Sequence, residues 1–543
     1  MWQAFVDGFS VLSGKWVIAL GATAVVGLGC GVVVFSSRST FKDKTSFLRS
    51  MLWSGSFFAL TLLLRLAFLA KTFVPPYFDS VEHYRIVKEL TTALENSTLL
   101  KTLPTLTSSY YHLGFHFLAS LLTIGLHADS IDVILILGQV ILAAIPIPIF
   151  FILRAETQSD AAAFWGMFLA GFGWYMPGFA VNWGKYPALG GLLALEVVLG
   201  YAYLISRKTP VGNRFIQVSF LVVGILISAF VHTRTVVIIV IALLSWFIAG
   251  KMRSLPRIYR YVSSGILLVG ILVLGTIIQR EPLLKLTLEP YLGAGIWITL
   301  TVLVLSPFAW IKFPRGVYSS IIFIFCVLAA LFIPVLAWSP ALEKQTVLDR
   351  PFVEMVLYLP LSAFAGLGLA GLLHLLEGRE FLPEQKSVYV RNSVAIVLIG
   401  VTSLIAIERY DFGPSDCCRF VGYDDTVAMD WLNRNVPSDA RILIAGTQMN
   451  VLPSGPSAEL VGTDAGIWIP ALTGRSIIFA PVGMDFQSEN TLEQLCQEQV
   501  DYVYVGGTSQ TFNAAQLEEK SDWYKGVLFL PHVRLYQLTG CSR

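Results

Sequence analysis

Long apolar segments recur along most of this sequence, and they limit its fold more than any other feature. A helix needs about 17–25 apolar residues to cross a bilayer, and twelve segments meet or approach that length. They are 15–35, 51–70, 132–153, 160–177, 188–206, 215–231, 235–250, 262–279, 291–311, 317–337, 353–375 and 392–407. Only 14% of the 543 residues are charged, against about 25% in soluble domains. The sequence therefore predicts an α-helical polytopic membrane protein with about 12 spans, and it contains no basic tract that would indicate a nucleic-acid partner.

Positive charge is concentrated in five short connections, and this sets the expected orientation. They contain Arg38, Lys42, Lys44 and Arg49; Arg207, Lys208 and Arg214; Lys251, Arg253, Arg257 and Arg260; Lys312 and Arg315; and Arg379, Lys386 and Arg391. Loops rich in Lys and Arg lie in the cytoplasm. All five do so only if the short apolar segment 112–127 does not cross the membrane. We therefore expect 112–127 to form a juxtamembrane or re-entrant helix, and we place the large loop 71–131 and both termini outside.

The composition changes after residue 409, where a multi-span module, 1–409, gives way to a polar region, 410–543. Helical patterns there alternate with short apolar runs of strand length, which predicts a soluble, extracytoplasmic α/β domain. Cys417, Cys418, Cys496 and Cys541 fall in this region and suggest disulfides on an oxidising side of the membrane. Their connectivity does not follow from the sequence, and the adjacent pair can take separate partners.

The first external loop carries the candidate catalytic group. Asp79, Glu82 and His83 are spaced i, i+3 and i+4, so they share one face of a helix. Asp79 could act as a general base on an acceptor hydroxyl. Alternatively, Asp79 and Glu82 could help to hold a divalent cation, Mg or Mn. The structural alternative is a solvated first turn whose acids are favoured by the helix dipole.

Other polar residues map to the same outer side and could bind a lipid phosphate. They are His112, His116, Lys185, Tyr186, His232, Arg234 and Arg350. Arginine binds phosphate in a bidentate manner, and charged residues between apolar spans often mark function. The structural alternatives are a polar helix face for the histidines, an interfacial anchor for Lys185 and Tyr186, and an ion pair between Asp349 and Arg350.

Three short patterns in these loops resemble the GT-C superfamily of integral membrane glycosyltransferases. They are Tyr77-Phe78-Asp79-Ser80-Val81-Glu82-His83, Tyr110-Tyr111-His112-Leu113-Gly114-Phe115-His116 and Asn182-Trp183-Gly184-Lys185-Tyr186-Pro187. In the C-terminal domain, 462–470 and 473–475 look similar to a segment of poorly characterised bacterial members. The resemblance covers nearly the whole chain in layout.

The resemblance implies a function at the extracytoplasmic face of a plasma or inner membrane. A sugar would be transferred from a polyprenyl-phosphate-linked donor to a glycan, lipid or protein acceptor, with Asp79 as the catalytic or metal-associated carboxylate. Many members carry two adjacent acids, whereas Ser80 follows Asp79 here, so a metal requirement is not implied. The competing interpretation is a transporter or lipid flippase, but the charged residues gather at one face and not near the bilayer midplane, where transporter sites lie.

Overall fold

The computed structural model describes residues 1–107, 112–207, 214–254, 256–335, 345–377, 384–451, 455–508 and 510–541. Four residues used in the sequence analysis, Tyr110, Tyr111, Lys208 and Arg379, lie outside the described residues.

The first part of the chain is helical. Its helices are α1 (Trp2–Ser37), α2 (Lys44–Leu66), α3 (Asp79–Glu95), α4 (Leu99–Thr107), α5 (Leu113–Leu126), α6 (Ser130–Ala144), α7 (Pro146–Thr157), α8 (Asp160–Phe172), α9 (Tyr186–Ser206), α10 (Arg214–Val231), α11 (Arg234–Ser254), α12 (Arg257–Arg280), α13 (Pro282–Thr287), α14 (Glu289–Leu292), α15 (Ile296–Lys312), α16 (Pro314–Ala330), α17 (Arg350–Val356), α18 (Tyr358–Glu377) and α19 (Glu384–Arg409). Helix α6 lies at the centre of the bundle, since every residue from Val133 to Ala144 is buried.

Eight helical segments of the described residues are long and apolar enough to cross a membrane, judged by length and composition. They are Trp2–Thr40, Lys44–Lys71, Ser130–Thr157, Tyr186–Ser206, Arg214–Val231, Arg234–Ser254, Arg350–Glu377 and Tyr389–Arg409. Eight of the twelve predicted spans coincide with these segments, and the other four coincide with α8, α12, α15 and α16, which carry shorter apolar stretches. The predicted class, an α-helical polytopic membrane protein, is confirmed, and the count of twelve stays a prediction.

The short apolar segment 112–127 forms helix α5, which has 14 residues. At 1.5 Å per residue it is about 21 Å long, shorter than the roughly 30 Å hydrocarbon core. It packs against α3 and α6, and Gly114 lets it approach the backbone of Phe230 and Val231, where an added Cβ would lie 2.8 Å away. Its length supports the predicted juxtamembrane or re-entrant position.

The last part of the chain is an α/β unit, as predicted. Its elements are α20 (Tyr423–Asn435), β1 (Arg441–Val451), β2 (Gly455–Gly462), α21 (Ile469–Thr473), β3 (Ser476–Pro481), α22 (Glu489–Gln497), β4 (Tyr502–Val505), α23 (Ala514–Glu519), β5 (Tyr524–Phe529) and β6 (Arg534–Leu538). Strand β1 is central, because it pairs in parallel with β3 and β4 and antiparallel with β2. Its apolar run from Ile442 to Ala445 is fully buried, as expected of a strand covered on both faces. The sequence analysis did not identify β2.

Two disulfides lie in this part, and they give the connectivity that the sequence left open. Cys496 bonds to Cys541, while Cys417 and Cys418 bond to each other. The adjacent pair therefore does not take separate partners. Both thiols of that pair are used within the turn 415–418, and Cys496 and Cys541 already lie at bonding distance, with Cα atoms 5.7 Å apart.

The α/β unit packs directly on the loop 71–131. The backbone N–H of Tyr77 donates to the carbonyl of Cys418 at 2.9 Å, and the N–H of Ser415 donates to Oδ1 of Asn182 at 2.7 Å. The ring of Trp468 lies 5.7 Å from that of Tyr84, on α3. These contacts fix the position of the loop segment that leads into α3.

Candidate active site

Asp79 is the first residue of α3 and is 7% exposed. The buried apolar residues Ile86, Val87 and Leu90 lie along one side of this helix, so packing of that side against the bundle fixes the direction of its first turn. The carboxylate lies at a helix N-terminus, where the dipole favours negative charge. Its Oδ2 atom accepts a charge-assisted hydrogen bond from Nζ of Lys185.

Gly184 explains how Lys185 reaches Asp79. The 3₁₀ turn Gly178–Trp183 ends at Gly184, which has a φ of +62°, a conformation that glycine adopts readily. A Cβ at Gly184 would lie 2.3 Å from Oγ of Ser80, whose hydroxyl donates to the carbonyl of Pro76. Residue 80 therefore faces this turn and not the cavity. A larger acidic side chain would collide with the turn, which accounts for the absence of a second adjacent acid.

Three histidines form a chain of contacts behind Asp79. Nδ1 of His116 lies 2.8 Å from the backbone carbonyl of His112, and Nε2 of His116 lies 2.9 Å from Nδ1 of His83. A carbonyl only accepts, so His116 donates from Nδ1 and its Nε2 is the acceptor. Burial lowers the pKa of His83 well below its usual value, helped by His116 and Lys185 and opposed by the Gly184 carbonyl. His83 is therefore neutral at neutral pH and has one ring N–H, for which Nε2 of His116 and the Gly184 carbonyl are the two acceptors.

The opposite wall comes from the connection between α10 and α11 and from the start of α17. NH1 of Arg234 donates to Oδ2 of Asp349 at 2.8 Å, and Oδ1 of Asp349 caps α17 by accepting from the N–H of Phe352 at 3.1 Å. The ring of His232 stacks on Phe352 with centroids 4.7 Å apart. Within the described residues, Nδ1 of His232 is buried without a hydrogen-bond partner, so a polar group of a ligand can bind there.

One cavity joins these two walls. It is lined by Asp79, His83, His112, Lys185, Pro187, Ala188, His232, Arg234, Asp349, Pro351, Phe352 and Met355. Six of the ten predicted site residues therefore meet in one place, although they come from four separate parts of the chain. His112 also hydrogen-bonds Oγ1 of Thr233 at 2.7 Å, and burial, together with Arg234, lowers its pKa.

The structure places four predicted site residues outside this cavity. Glu82 turns away because Arg85 binds both of its carboxylate oxygens, at 2.8 and 2.5 Å. Tyr186 is fully buried against Gly138 and Phe115. Arg350 pairs with Glu354 at 3.1 Å, and His116 lies in the layer behind His83.

Asp349 is the functional candidate that sequence reasoning assigned differently. It was considered only as a partner for Arg350, but it pairs with Arg234 and lines the cavity. The motif Asp349-Arg350-Pro351-Phe352 contained a usable signal, because an Asp followed by a Pro two positions later is typical of a helix N-cap. An N-cap aspartate points its side chain back over the first turn, away from an arginine at the next position.

A divalent cation does not fit the residues of this cavity. Among the residues that the structure describes, no three His, Cys, Asp or Glu side chains are grouped closely enough to hold a metal ion. The two carboxylates that line the cavity are each paired with a cationic side chain, Lys185 or Arg234. The donor set therefore offers no ligand cluster of the kind that Mg²⁺ or Mn²⁺ requires.

Three solved structures are similar to this one in architecture. The arabinofuranosyltransferase AftD from Mycobacteria is similar with a TM-score of 0.51 and 12% identity, over 90% of this chain and 40% of that chain. Two oligosaccharyltransferase structures from Archaeoglobus fulgidus also match, each with 12% identity. The complex with Zn and sulfate has a TM-score of 0.41, and the match covers 73% of this chain and 59% of that chain. The AglB complex with an inhibitory peptide and a dolichol-phosphate has a TM-score of 0.42, and the match covers 90% of this chain and 74% of that chain. The chain thus spans 59% and 40% of the length of the first two structures.

The likeness to AftD defines a GT-C-like membrane fold, and the resemblance inferred from the sequence is confirmed at this level. Residues 4–288 match the model of a family of unknown function, DUF6541, so the chain belongs to that family. No curated protein matches the sequence.

Proposed function

We propose that this chain is a membrane glycosyltransferase that moves a sugar from a polyprenyl-phosphate-linked donor to a glycan, lipid or protein acceptor. The observation that carries the proposal is the cavity lined by the Asp79–Lys185 pair together with Arg234 and His232. It combines a carboxylate that can accept a proton with cations that can bind a phosphate. The fold is of the same class as that of an arabinofuranosyltransferase.

Asp79 would act as the general base. An acceptor hydroxyl attacks the anomeric carbon of the donor sugar and loses its proton to the carboxylate, while the bond from that carbon to the phosphate oxygen breaks. The electron pair leaves with the lipid phosphate. A single base acting on the acceptor in this way inverts the anomeric configuration.

Lys185 and Arg234 would stabilise the departing phosphate. An ammonium has three N–H donors and a guanidinium has five, so each can bind a phosphate oxygen while keeping its carboxylate partner. Fixed donors placed where charge develops are a large catalytic contribution. His83 would position the first turn of α3 and leave the proton transfer to Asp79, because its ring is held by His116 and the Gly184 carbonyl.

The reaction is proposed for the extracytoplasmic face. The five basic connections favour the cytoplasmic side for the helix ends that they join, so the opposite ends, which carry the cavity, would lie outside. The disulfide between Cys496 and Cys541 favours an oxidising compartment for the α/β unit, and this unit contacts the loop that carries Asp79.

The test is sugar transfer by the purified chain in proteoliposomes supplied with polyprenyl-phosphate sugars. Asp79→Asn keeps the size of the side chain and one acceptor oxygen for Lys185 but removes the base, so we expect transfer to fall by about 10²–10⁴-fold. Glu89→Gln is the matched control, because Glu89 lies on the same helix, pairs with Arg85 at the surface and does not line the cavity. Full turnover by Asp79→Asn would refute the assignment of the base, and no transfer from any polyprenyl-phosphate sugar would refute the function.

A further inference from the structure

A second and larger cavity lies at the other end of the helices. Its volume is about 780 Å³. It is bounded by the end of α11, the middle of α12, the end of α15 and the start of α16. The candidate active site lies at the opposite end of α11, at its start.

The charge at this cavity has one sign. Arg253 and Lys312 line it and are exposed, and none of the described residues that line it is acidic. Arg315 is nearby, but its guanidinium stacks on Trp246, 3.8 Å from the ring centroid. The described residues that line the cavity thus supply two cations and no carboxylate, which favours an anionic ligand.

The walls change character with depth. Near the basic end, the hydroxyls of Ser264 and Tyr318 hydrogen-bond each other at 2.7 Å, and the ring of Trp310 packs against Tyr318 with centroids 4.8 Å apart. One and two turns further along α12, Leu268 and Ile271 present apolar side chains that are 59% and 43% exposed. The cavity thus presents charged groups first, then hydroxyls and an indole, and then aliphatic groups. A glycerophospholipid has its phosphate, ester groups and acyl chains in the matching order.

We propose that this cavity binds one anionic glycerophospholipid from the leaflet on the side of the basic connections. Arg253 and Lys312 would bind its phosphate, the hydrogen-bonded hydroxyls of Ser264 and Tyr318 would lie beside its ester groups, and an acyl chain would lie along Leu268 and Ile271. Basic pockets between membrane helices bind anionic headgroups in this way. The lipid would fill the space between α12 and the α15–α16 pair.

Native mass spectrometry of the full chain in detergent tests the proposal, with dioleoyl phosphatidylglycerol and dioleoyl phosphatidylcholine as probes. We expect one phosphatidylglycerol to be retained at least tenfold more tightly than phosphatidylcholine. Two headgroup cations contribute roughly fivefold each, so Arg253→Ala/Lys312→Ala should lose about tenfold or more in phosphatidylglycerol affinity. Lys42→Ala/Lys44→Ala removes the same charge from the same side, away from the cavity, and should retain the lipid.

A second variant tests the apolar part without a change of charge. Leu268→Trp fills the space for the acyl chain and should also release the lipid, while thermal unfolding shows that the chain remains folded. Equal affinity for the two lipids, or equal retention in wild type and Arg253→Ala/Lys312→Ala, would overturn the proposal. Preferential retention of a polyprenyl phosphate over phosphatidylglycerol would overturn it too, because the site would then belong to the sugar-donor lipid.

Discussion

Gly184 controls the geometry of the Asp79–Lys185 pair at the scale of single residues. Its positive φ turns the chain so that Lys185 reaches Asp79, and its missing side chain makes room for Ser80. The sequence Asn182-Trp183-Gly184-Lys185 indicated a loop near the membrane, but a close approach between residues 80 and 184 joins segments that are distant in sequence. No local pattern carries that information.

Gly184→Ala should therefore damage both stability and activity. A left-handed conformation costs an L-residue roughly 1–2 kcal/mol, and the added Cβ would also displace Ser80 and, with it, the start of α3. Thermal unfolding and sugar transfer measure the two effects. Gly474→Ala is the matched control, because Gly474 has a φ of +75° but no heavy atom within 4 Å of an added Cβ. We expect that control to lose stability only, and equal transfer rates in the two variants would contradict the role of Gly184.

Glu82 lies on the helix face that its spacing predicts, but its carboxylate does not enter the cavity. Spacing placed it on one face with Asp79 and His83, and the structure keeps that face but turns the carboxylate toward Arg85. The sequence contained the reason, since a cation at i+3 competes for an exposed acid. Glu82→Gln should keep transfer within about twofold of wild type in the proteoliposome assay. A loss comparable with that of Asp79→Asn would return Glu82 to the catalytic group.

Asp464 connects the elements of the α/β unit to the catalytic helix. It caps the 3₁₀ turn Ala465–Trp468 by accepting from the N–H of Gly466 at 2.9 Å, and Oγ1 of Thr511 donates to it at 2.7 Å. The turn leads into α21, which packs on α3. The pattern Thr463-Asp464-Ala465-Gly466 is typical of a turn, and the local role of Asp464 is to cap that turn. Its burial and its contact with Thr511 depend on strand pairing, which the sequence did not reveal.

The same residue gives the unit a pH-dependent stability. Burial raises the pKa of Asp464 to about 7 from 3.8, against the opposing hydrogen bonds from Thr511 and Gly466. The folded state thus holds a proton that the unfolded state releases, so this contribution is complete below pH 3.8 and is lost as the pH rises through about 7. The unfolding temperature of the wild type should fall as the pH rises from 5 to 8. In Asp464→Asn the fall over the same range should be smaller by roughly 2–4 °C. Parallel profiles for the two proteins would contradict this prediction.

At the scale of the whole molecule, the sequence predicted the helices well and their assembly poorly. Hydropathy alone identifies long apolar helices, because a membrane leaves the backbone few alternatives. The cavity is different, since Asp79 and Lys185 are separated by 106 positions and Arg234 and Asp349 by 115. Loop charge grouped these residues on one side of the membrane. It could not show which of them face one another, because that depends on how α3, α9, α11 and α17 pack.

The contacts between the α/β unit and the loop 71–131 lead to a prediction about the whole molecule. The hydrogen bond from Tyr77 to Cys418 requires both regions to lie on one side of the membrane, whereas Lys251 lies at the far end of α11. The positions chosen for labelling, Glu95, Ser521 and Lys251, are all exposed, and Cys326→Ser removes the exposed free cysteine. In that background, a membrane-impermeant maleimide added to intact cells should label Glu95→Cys and Ser521→Cys. Lys251→Cys should react only after permeabilisation.

The two ways in which this experiment can fail have different meanings. Opposite labelling of Glu95→Cys and Ser521→Cys would contradict the packing of the α/β unit on the loop, and with it the position of Asp79. Protection of both, together with labelling of Lys251→Cys, would leave the fold intact but would move the active site to the cytoplasmic face. The donor would then have to present its sugar on that side, and the disulfide between Cys496 and Cys541 would face a reducing compartment.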